Sequence, residues 1–162
     1  AATAYSRSFN IKKDYPQRVK YAKQALELNP SHSGSNFDYG LAICNDEKFA
    51  EAEAHIQKAI ELDPIRSQSY EGFFPILYLA MRNSEKALEW TNIIHDRNSH
   101  SRHHGFRAAI FVHIGDLEKA KEYLQKFKEQ RPEISSLEDY QNVAPGICMD
   151  YLMEGLSQIW EG

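Results

Sequence analysis

The sequence contains Leu26-Glu27-Leu28-Asn29-Pro30 and, later, Ile60-Glu61-Leu62-Asp63-Pro64. The prolines that end these two stretches lie 34 positions apart. At the same interval, the aromatic Tyr15 corresponds to Phe49. An interval of 34 residues that keeps aromatic, small and proline positions in register is typical of a helix–turn–helix repeat.

The small and proline positions of this repeat have a physical role. Ala25, Ala52 and Ala59 are small enough to let two helix axes approach closely. Pro30 and Pro64 end the second helix of a unit, because proline cannot donate the next backbone hydrogen bond. Each proline also begins the turn into the following hairpin.

These positions resemble the tetratricopeptide repeat family, and residues 33–66 match it best. The matching residues are Tyr39, Gly40, Phe49, Ala52, Ile56, Ala59 and Pro64. Asn36 stands where the family usually has an aromatic residue. Two less regular copies follow, and the small residues Ala52, Ala87 and Ala120 are 35 and 33 positions apart. The resemblance extends over roughly residues 14–134.

The resemblance implies an all-α fold, a right-handed superhelix or solenoid of antiparallel helical hairpins. Residues 1–134 would form the repeats, with units at about 1–32, 33–66, 67–100 and 101–134. Residues 135–162 leave the repeat pattern and carry an apolar helical stripe, which includes Tyr151, Leu152, Leu156 and Trp160. We expect this segment to form helices that cap the last hairpin.

The coarse pattern predicts helices and no strands. One local feature is unusual, because Pro75 interrupts a run that otherwise indicates a buried helix and must kink or break it. A capping box is predicted either from Ser135 with Glu138 or from Ser136 with Asp139. The predicted helices span about 4–12, 15–28, 34–45, 48–62, 67–82, 85–96, 101–114, 117–130, 136–143 and 146–160.

Composition and charge narrow the function classes. The 162 residues are 42% hydrophobic and carry a net charge of −4, so the chain lacks an overall basic footprint for nucleic acid. Residues 1–30 have a net charge of +4, whereas residues 133–162 contain six acids and no Lys or Arg. This asymmetry indicates either solvated faces or pairing between oppositely charged ends. No apolar run is long enough to cross a membrane, and the missing initiator Met suggests a fragment or a processed product.

Few residues in the sequence are candidates for metal binding or catalysis. His100 and His104 are spaced to share a metal on one helix face, but no Cys or acidic ligand lies in that cluster, so a solvated helix start is favoured. Cys44 and Cys148 form no disulfide framework, are expected to be buried thiols, and fit a cytoplasmic location. No Gly-rich phosphate loop is present. We therefore expect neither enzyme activity nor a cofactor.

In this family, partners usually lie in the concave groove lined by the first helices of the hairpins. Carried over by repeat position, the candidate groove residues are Phe37, Leu41, Cys44, Asn45, Glu71, Pro75, Tyr78, Arg102, Ala109, Val112 and His113. This lining is largely apolar and aromatic. Phe37 and Leu41 occupy positions where the family's carboxylate clamp needs Lys and Asn, so that clamp is not expected.

The leading hypothesis is a protein-interaction scaffold that binds a peptide or an amphipathic helix in the groove. One alternative is a ligand-sensing or autoregulatory domain, whose groove takes a small molecule or a neighbouring part of the same protein. Another is self-association through the repeat ends as a homodimer. Residues 150–156 are similar to the end of repeat regions in multidomain bacterial signalling proteins, which favours a regulatory part of a larger bacterial protein.

Overall fold

The computed structural model of the chain describes residues 14–97, 101–143 and 149–160, with side chains at all of these positions except 95–97 and 101–103. Over these ranges the secondary structure consists of ten α-helices and two 3₁₀ turns, without a β-strand. None of the described helices is long and apolar enough to pass through a bilayer. The described residues belong to two compact units, residues 14–73 and residues 74–143 with 149–160.

The first unit contains four helices. They are α1 (Tyr15–Leu28), α2 (Ser33–Ile43), α3 (Phe49–Leu62) and α4 (Ser67–Glu71), with 3₁₀ turns at Cys44–Asp46 and Pro64–Arg66. Helix α2 packs against α1 and α3, and α4 packs against α3. Nine of the eleven residues of α2 are buried, whereas α1 and α3 each expose one side. The helices predicted at 15–28, 34–45 and 48–62 are confirmed, apart from the 3₁₀ geometry at the end of α2.

Two residues of α2 explain how closely it packs on α3. A Cβ atom on Gly40 would lie 2.9 Å from the Ala52 carbonyl oxygen, so only glycine allows this approach. The buried Asn36 amide donates from Nδ2 to the Pro30 carbonyl at 2.8 Å, and its Oδ1 lies 3.1 Å from His55 Nδ1. Asn36 therefore replaces the usual aromatic packing with hydrogen bonds that join α2, α3 and the preceding turn. Burial in turn lowers the pKa of His55.

The second unit contains six helices. They are α5 (Phe74–Ala80), α6 (Ser84–Arg97), α7 (Ser101–Ile114), α8 (Leu117–Gln130), α9 (Leu137–Val143) and α10 (Asp150–Ser157). Helices α5 and α6 form one hairpin, α7 and α8 form another, and α6 packs against α7. Helix α10 packs on α7 and α5. The last helix is shorter than the predicted 146–160, since it ends at Ser157 and residues 158–160 form a turn.

The segment predicted as one helix over 67–82 is broken, which is one of the two outcomes expected from Pro75. Helix α4 ends at Glu71, and the Gly72 and Phe73 amides donate to the carbonyls of Gln68 and Tyr70. Helix α5 begins at Phe74, so Pro75 lies in its first turn. Proline is tolerated there because an amide in the first turn has no partner within the helix.

A left-handed residue follows the first helix of each of three hairpins. Glu47 and Arg82 both have a φ of +58°, and Gly115 has a φ of +90°. The amides of Asn83 and Asp116 each donate to a carbonyl five residues earlier at 2.9 Å, which closes the helix end. The three left-handed residues are 35 and 33 positions apart, the same intervals as the small residues predicted from the sequence.

The capping box at the start of α9 uses the second of the two predicted pairs. The Ser136 amide donates to Asp139 Oδ2, and the Asp139 amide donates to Ser136 Oγ, both at 3.0 Å. Ser135 adds donors from its amide and hydroxyl to the same carboxylate. These bonds lower the pKa of Asp139 because they stabilise its charged form. The reciprocal pair satisfies two amides that the helix itself leaves without partners.

Candidate functional site

Helices α5 and α7 form the inner part of the second unit. Residues 74–79 of α5 and residues 104–110 of α7 are all buried. Helices α6 and α8 cover one side of this pair, and α10 covers another. We call the surface of α5 and α7 on which α10 packs the α5/α7 face; Ala109 and His113 of α7 belong to it. In repeat terms it consists of first helices, the elements predicted to bind partners.

Helix α10 places its apolar side on this face. Leu152 is 1% exposed and Leu156 is fully buried. Between them Gly155 lies directly against α7, where an added Cβ would be 3.0 Å from the Ala109 carbonyl oxygen and 2.8 Å from His113 Nε2. The nearer atom belongs to the His113 side chain, whereas the Ala109 oxygen is backbone, and both distances are shorter than ordinary van der Waals contact. Glycine is therefore the residue that permits this depth of packing.

His113 joins the two helices through its ring and through its nitrogen. The imidazole stacks on the Tyr151 ring, with centroids 3.5 Å apart and planes inclined by 12°. Its Nε2 lies 2.8 Å from the Tyr151 carbonyl oxygen. Because a carbonyl only accepts, Nε2 carries the proton and donates. His113 was predicted as a groove residue, and its partner in this structure is a residue of the same chain.

The edge of the contact is charged and open to solvent. The Arg82 guanidinium lies 4.8 Å from the centre of the Tyr151 ring, and its Nη2 is 4.0 Å from Glu154 Oε2. Both side chains are more than half exposed, so this ion pair adds little to stability. The ion pair instead contributes to orientation, because the Arg82 guanidinium favours an acidic residue at this position of the helix that packs on the face.

The turn after α10 has its own anchor. The Trp160 ring packs on Phe127 and Tyr140, at centroid distances of 6.2 and 5.7 Å. Lys128 Nζ donates to the Trp160 carbonyl at 2.8 Å. Burial in this cluster raises the pKa of Tyr140 far above its ordinary value. The aromatic cluster thus fixes the chain beyond α10 against α8 and α9.

An open pocket of about 610 Å³ adjoins the site. It lies at the C-terminal ends of α5 and α7, beside the first turn of α10. Two of its apolar residues are partly exposed, Met81 at 38% and Ile114 at 43%. The lining residues are Met81, Arg82, Asn83, Ser84, Glu85, His113, Ile114 and Tyr151. The α5/α7 face therefore continues into a surface that α10 does not fill.

Arg107 lies on another side of α7 and was not predicted as notable. Arg107 is 7% exposed. Its Nη1 donates to Tyr123 Oη at 2.9 Å, and its Nη2 donates to Asn92 Oδ1 at 2.7 Å. The Tyr123 ring also stacks with His104 at 5.8 Å and with Phe111 at 5.5 Å. This cluster joins α7 to α6 and α8. Sequence reasoning had no signal for it, because a lone arginine in a helix is ordinarily a surface residue.

The groove residues predicted in the first unit are mostly covered. Phe37, Leu41 and Cys44 are buried, and Cys44 is a free thiol as expected. Phe37 packs within 4.7 Å of the Tyr70 ring and within 4.9 Å of the Phe73 ring. Asn45 and Glu71 are partly exposed. The structure thus brings Phe37 to the α4 segment and to the residue that follows Gly72.

The groove residues predicted in the second unit fall into two groups. Pro75, Tyr78 and Val112 are buried in α5 and α7, and the Lys86 ammonium lies 4.1 Å from the centre of the Tyr78 ring. His113 and Ala109 contact α10. The Arg102 side chain lies outside the described residues, as do His100 and Cys148. Within the described residues no group of three or more His, Cys, Asp or Glu side chains could hold a metal ion.

Sequence reasoning missed the importance of Gly155. The apolar stripe of α10 was recognised and expected to cap the last hairpin, but Gly155 was regarded as an isolated glycine. The available signal was a glycine flanked by Leu152 and Leu156 on one helix face. That pattern indicates close packing against another helix, yet it does not say which helix.

Comparison with known proteins agrees with this architecture. The family model described as tetratricopeptide repeat matches residues 105–134, which lie in the hairpin of α7 and α8 rather than in the 33–66 repeat expected to match best. No curated protein sequence matches the chain.

Solved structures with the same fold include three repeat proteins. A MamA RS-1 ArsTM double mutant has a TM-score of 0.62 and 15% identity, covering 96% of this chain and 89% of that one. A MamA protein has a TM-score of 0.61 and 13% identity, covering 99% and 86%. YrrB, described as a TPR protein with an unusual peptide-binding site, has a TM-score of 0.58 and 14% identity, covering 99% and 84%. Residues 105–134 therefore match a tetratricopeptide repeat, and the chain shares the helical fold of these solved structures.

Proposed function

We propose that this chain is a non-catalytic scaffold that binds a peptide or helix of another protein on the first helices of its hairpins. The observation that carries the proposal is the α5/α7 face, which already buries one side of an amphipathic helix. YrrB, whose structure is similar, is described as having an unusual peptide-binding site, which supports such a role. Binding of an amphipathic helix in an apolar groove is a general mode of recognition in proteins.

Several features of the face suit a helical partner better than a small molecule. Contact is made along two turns of α10, through Tyr151, Leu152, Gly155 and Leu156. The pocket beside it is open, so it would leave much of a small ligand in water.

The test is a selection of amphipathic helical peptides against the full chain, followed by hydrogen-exchange mapping of the bound complex. We expect changes in exchange at α5 and α7. Ile114→Lys, at the exposed end of α7, should weaken binding several-fold, whereas Leu28→Lys is the matched control on α1 because both replace an exposed apolar residue. Two results would argue against the proposal. One is binding that maps only to the second helices of the hairpins, α1, α3, α6 and α8. The other is binding that neither Ile114→Lys nor Leu28→Lys weakens.

Self-association through oppositely charged ends is a separate proposal about partners. Of the basic segment 1–30, residues 1–13 lie outside the described part of the chain, and Lys20 and Lys23 are exposed. Described acids such as Glu133, Asp150 and Glu154 are exposed as well. Light scattering coupled to gel filtration tests it directly. A dimer that dissociates at high salt supports it, because screening weakens attraction between exposed charges. A monomer at every concentration and salt removes it.

A further inference from the structure

The α5/α7 face recognises a specific kind of helix, and the chain supplies one example. From the contacts of α10, we infer that the face binds a partner helix that presents an aromatic residue, Leu, an acid, Gly and Leu at successive positions i, i+1, i+3, i+4 and i+5. We further infer that α10 occupies the face as an intramolecular competitor of that partner. This inference rests on the proposed function and adds the class of partner and the regulation of the site.

Each position of this pattern follows from a described contact. Position i+4 must be glycine because Gly155 approaches the Ala109 backbone. Positions i+1 and i+5 must be leucine-sized because Leu152 and Leu156 are almost completely buried. Position i takes an aromatic ring because Tyr151 stacks on His113. A helix with a Cβ at the closest approach could not seat its two leucines at the same depth.

The acidic position is set by electrostatics. Arg82 faces both Tyr151 and Glu154 across the edge of the site. A partner acid at i+3 would meet the same guanidinium, and a partner lysine would meet a like charge. This contact is exposed, so it selects among helices that already fit rather than providing most of the affinity.

Helix α10 itself has little local stability, although Trp160 in the turn after it is anchored on Phe127 and Tyr140. It is only eight residues long, and no side chain donates or accepts a capping bond at its N-terminus. Gly155 in its interior lowers its helical stability further. Isolated helices shorter than roughly 12–15 residues are marginal in water, so α10 depends on the α5/α7 face to remain helical. Its folding and its docking are therefore one event.

Covalent connection gives α10 an advantage over a free partner. A tethered segment competes at an effective concentration on the order of millimolar. If the face is free for less than about a tenth of the time, the apparent Kd of a partner rises at least about tenfold. A partner must then bind the face more tightly than α10 does, or the contacts between α10 and the face must first be weakened.

The decisive experiment uses a labelled synthetic peptide with the sequence of residues 149–160 and measures its fluorescence anisotropy. It is titrated with the full wild-type chain and with a full-chain release variant, Leu152→Glu with Leu156→Glu. The variant removes the apolar anchors of α10 in the chain but leaves α5 and α7 unchanged. We expect binding to the release variant to be at least about tenfold tighter than to the wild type.

Two matched peptides identify the site. A peptide with Gly155→Val should lose binding to the release variant, because its side chain would meet Ala109. A peptide with Ser157→Ala should bind like the native one, since Ser157 is exposed. Equal affinity for the wild type and the release variant would refute the competition. Equal affinity of the Gly155→Val and native peptides would refute the assignment of the face.

Folding and the two proposals are kept separate by further measurements. Circular dichroism and a heat-unfolding transition establish that the release variant is folded. If it is not, full-chain Gly155→Ala replaces it, because that change lifts α10 while the leucines remain. Failure of the 149–160 peptide to bind a folded release variant overturns this inference. The proposed function would still stand if selected peptides map to α5 and α7, and it fails separately if they do not.

Discussion

The three left-handed residues that end the first helices allow a quantitative test of backbone conformation in this repeat. Gly115 has a φ of +90°, and no atom lies within 4 Å of the Cβ that an alanine would add. The cost of Gly115→Ala is therefore conformational rather than steric. Glu47 occupies the equivalent position at a φ of +58°, and because it has a Cβ, this conformation is unfavourable for it in the wild-type protein.

The expected free-energy changes follow from two opposing contributions. A residue with a Cβ in the left-handed region is destabilised by roughly 1–2 kcal/mol relative to glycine. Replacing glycine also restricts the unfolded chain, which offsets roughly 0.4–1 kcal/mol. Gly115→Ala should thus lower the free energy of unfolding by about 1 kcal/mol. Glu47→Gly should raise it by up to about 1 kcal/mol, because the same two contributions change sign.

The assay is thermal and urea unfolding followed by far-ultraviolet circular dichroism. For a chain of this size, a change of 1 kcal/mol shifts Tm by roughly 2–4 °C. Lys48→Gly is the matched control, because Lys48 has a φ of −82° and therefore has no left-handed strain for glycine to relieve. Its greater freedom in the unfolded chain costs roughly 0.4–1 kcal/mol, which the tolerance of glycine at the N-cap of α3 partly offsets. If Glu47→Gly is no more stabilising than Lys48→Gly, or if Gly115→Ala has no effect, the conformational reasoning is wrong.

Three further changes test the hydrogen bonds and the buried phenol. Asn36→Ala should lower the free energy of unfolding by roughly 1–3 kcal/mol in urea titration, because it removes two hydrogen bonds of a buried amide, each worth roughly 0.5–1.5 kcal/mol. Ser136→Ala should cost about 1 kcal/mol by losing the cap of α9, whereas Glu138→Ala, which makes the alternative box that the structure does not use, should be nearly neutral. The raised pKa of Tyr140 means that the unfolded chain releases a proton that the folded chain retains, so stability falls as pH rises above the ordinary tyrosine value. Urea titrations across that range should show the wild type losing up to about 1.4 kcal/mol per pH unit more than Tyr140→Phe, and parallel curves would contradict this account.

The role of α10 changes how a partner would meet this protein. In a simple scaffold the first helices are exposed in the free protein, and the affinity depends only on how well the partner fits them. Here His113 and the adjoining part of α7 already hold Tyr151 and Gly155 of the same chain. The inferred consequence is that partner binding depends both on fit and on the free energy that holds α10 in place. Substitutions in α10 would then alter affinity without touching the partner.

Much of the local structure was predictable from sequence. The 34-residue interval and the capping and breaking residues placed the helices at 15–28, 101–114 and 117–130 with their observed bounds. The break around Pro75 and the box at Ser136 also followed from local chemistry. These signals are readable because a helix start, a helix end and an amphipathic period depend on residues within a few positions of one another.

The candidate site was only partly predictable. Repeat position indicated that His113 faces a partner, but it does not predict which side chains are buried. It therefore also indicated Phe37 and Tyr78 as groove residues, although both are covered by neighbouring rings or helices. Whether those residues bind a partner stays a prediction. Asn36 was noted as a departure from the family pattern, and only the coordinates show the bonds that make it a structural residue.

The sequence by itself determined that this chain forms helical hairpins, where most of its helices begin and end, and which helices are first in each pair. The tertiary structure decided that α10 lies on α5 and α7, that Gly155 meets Ala109, and that His113 is paired within the chain. The difference has a physical reason. Helix formation is governed by contacts three or four residues apart. The choice of one apolar face for another depends on shape complementarity between segments far apart in the sequence, which no local pattern encodes.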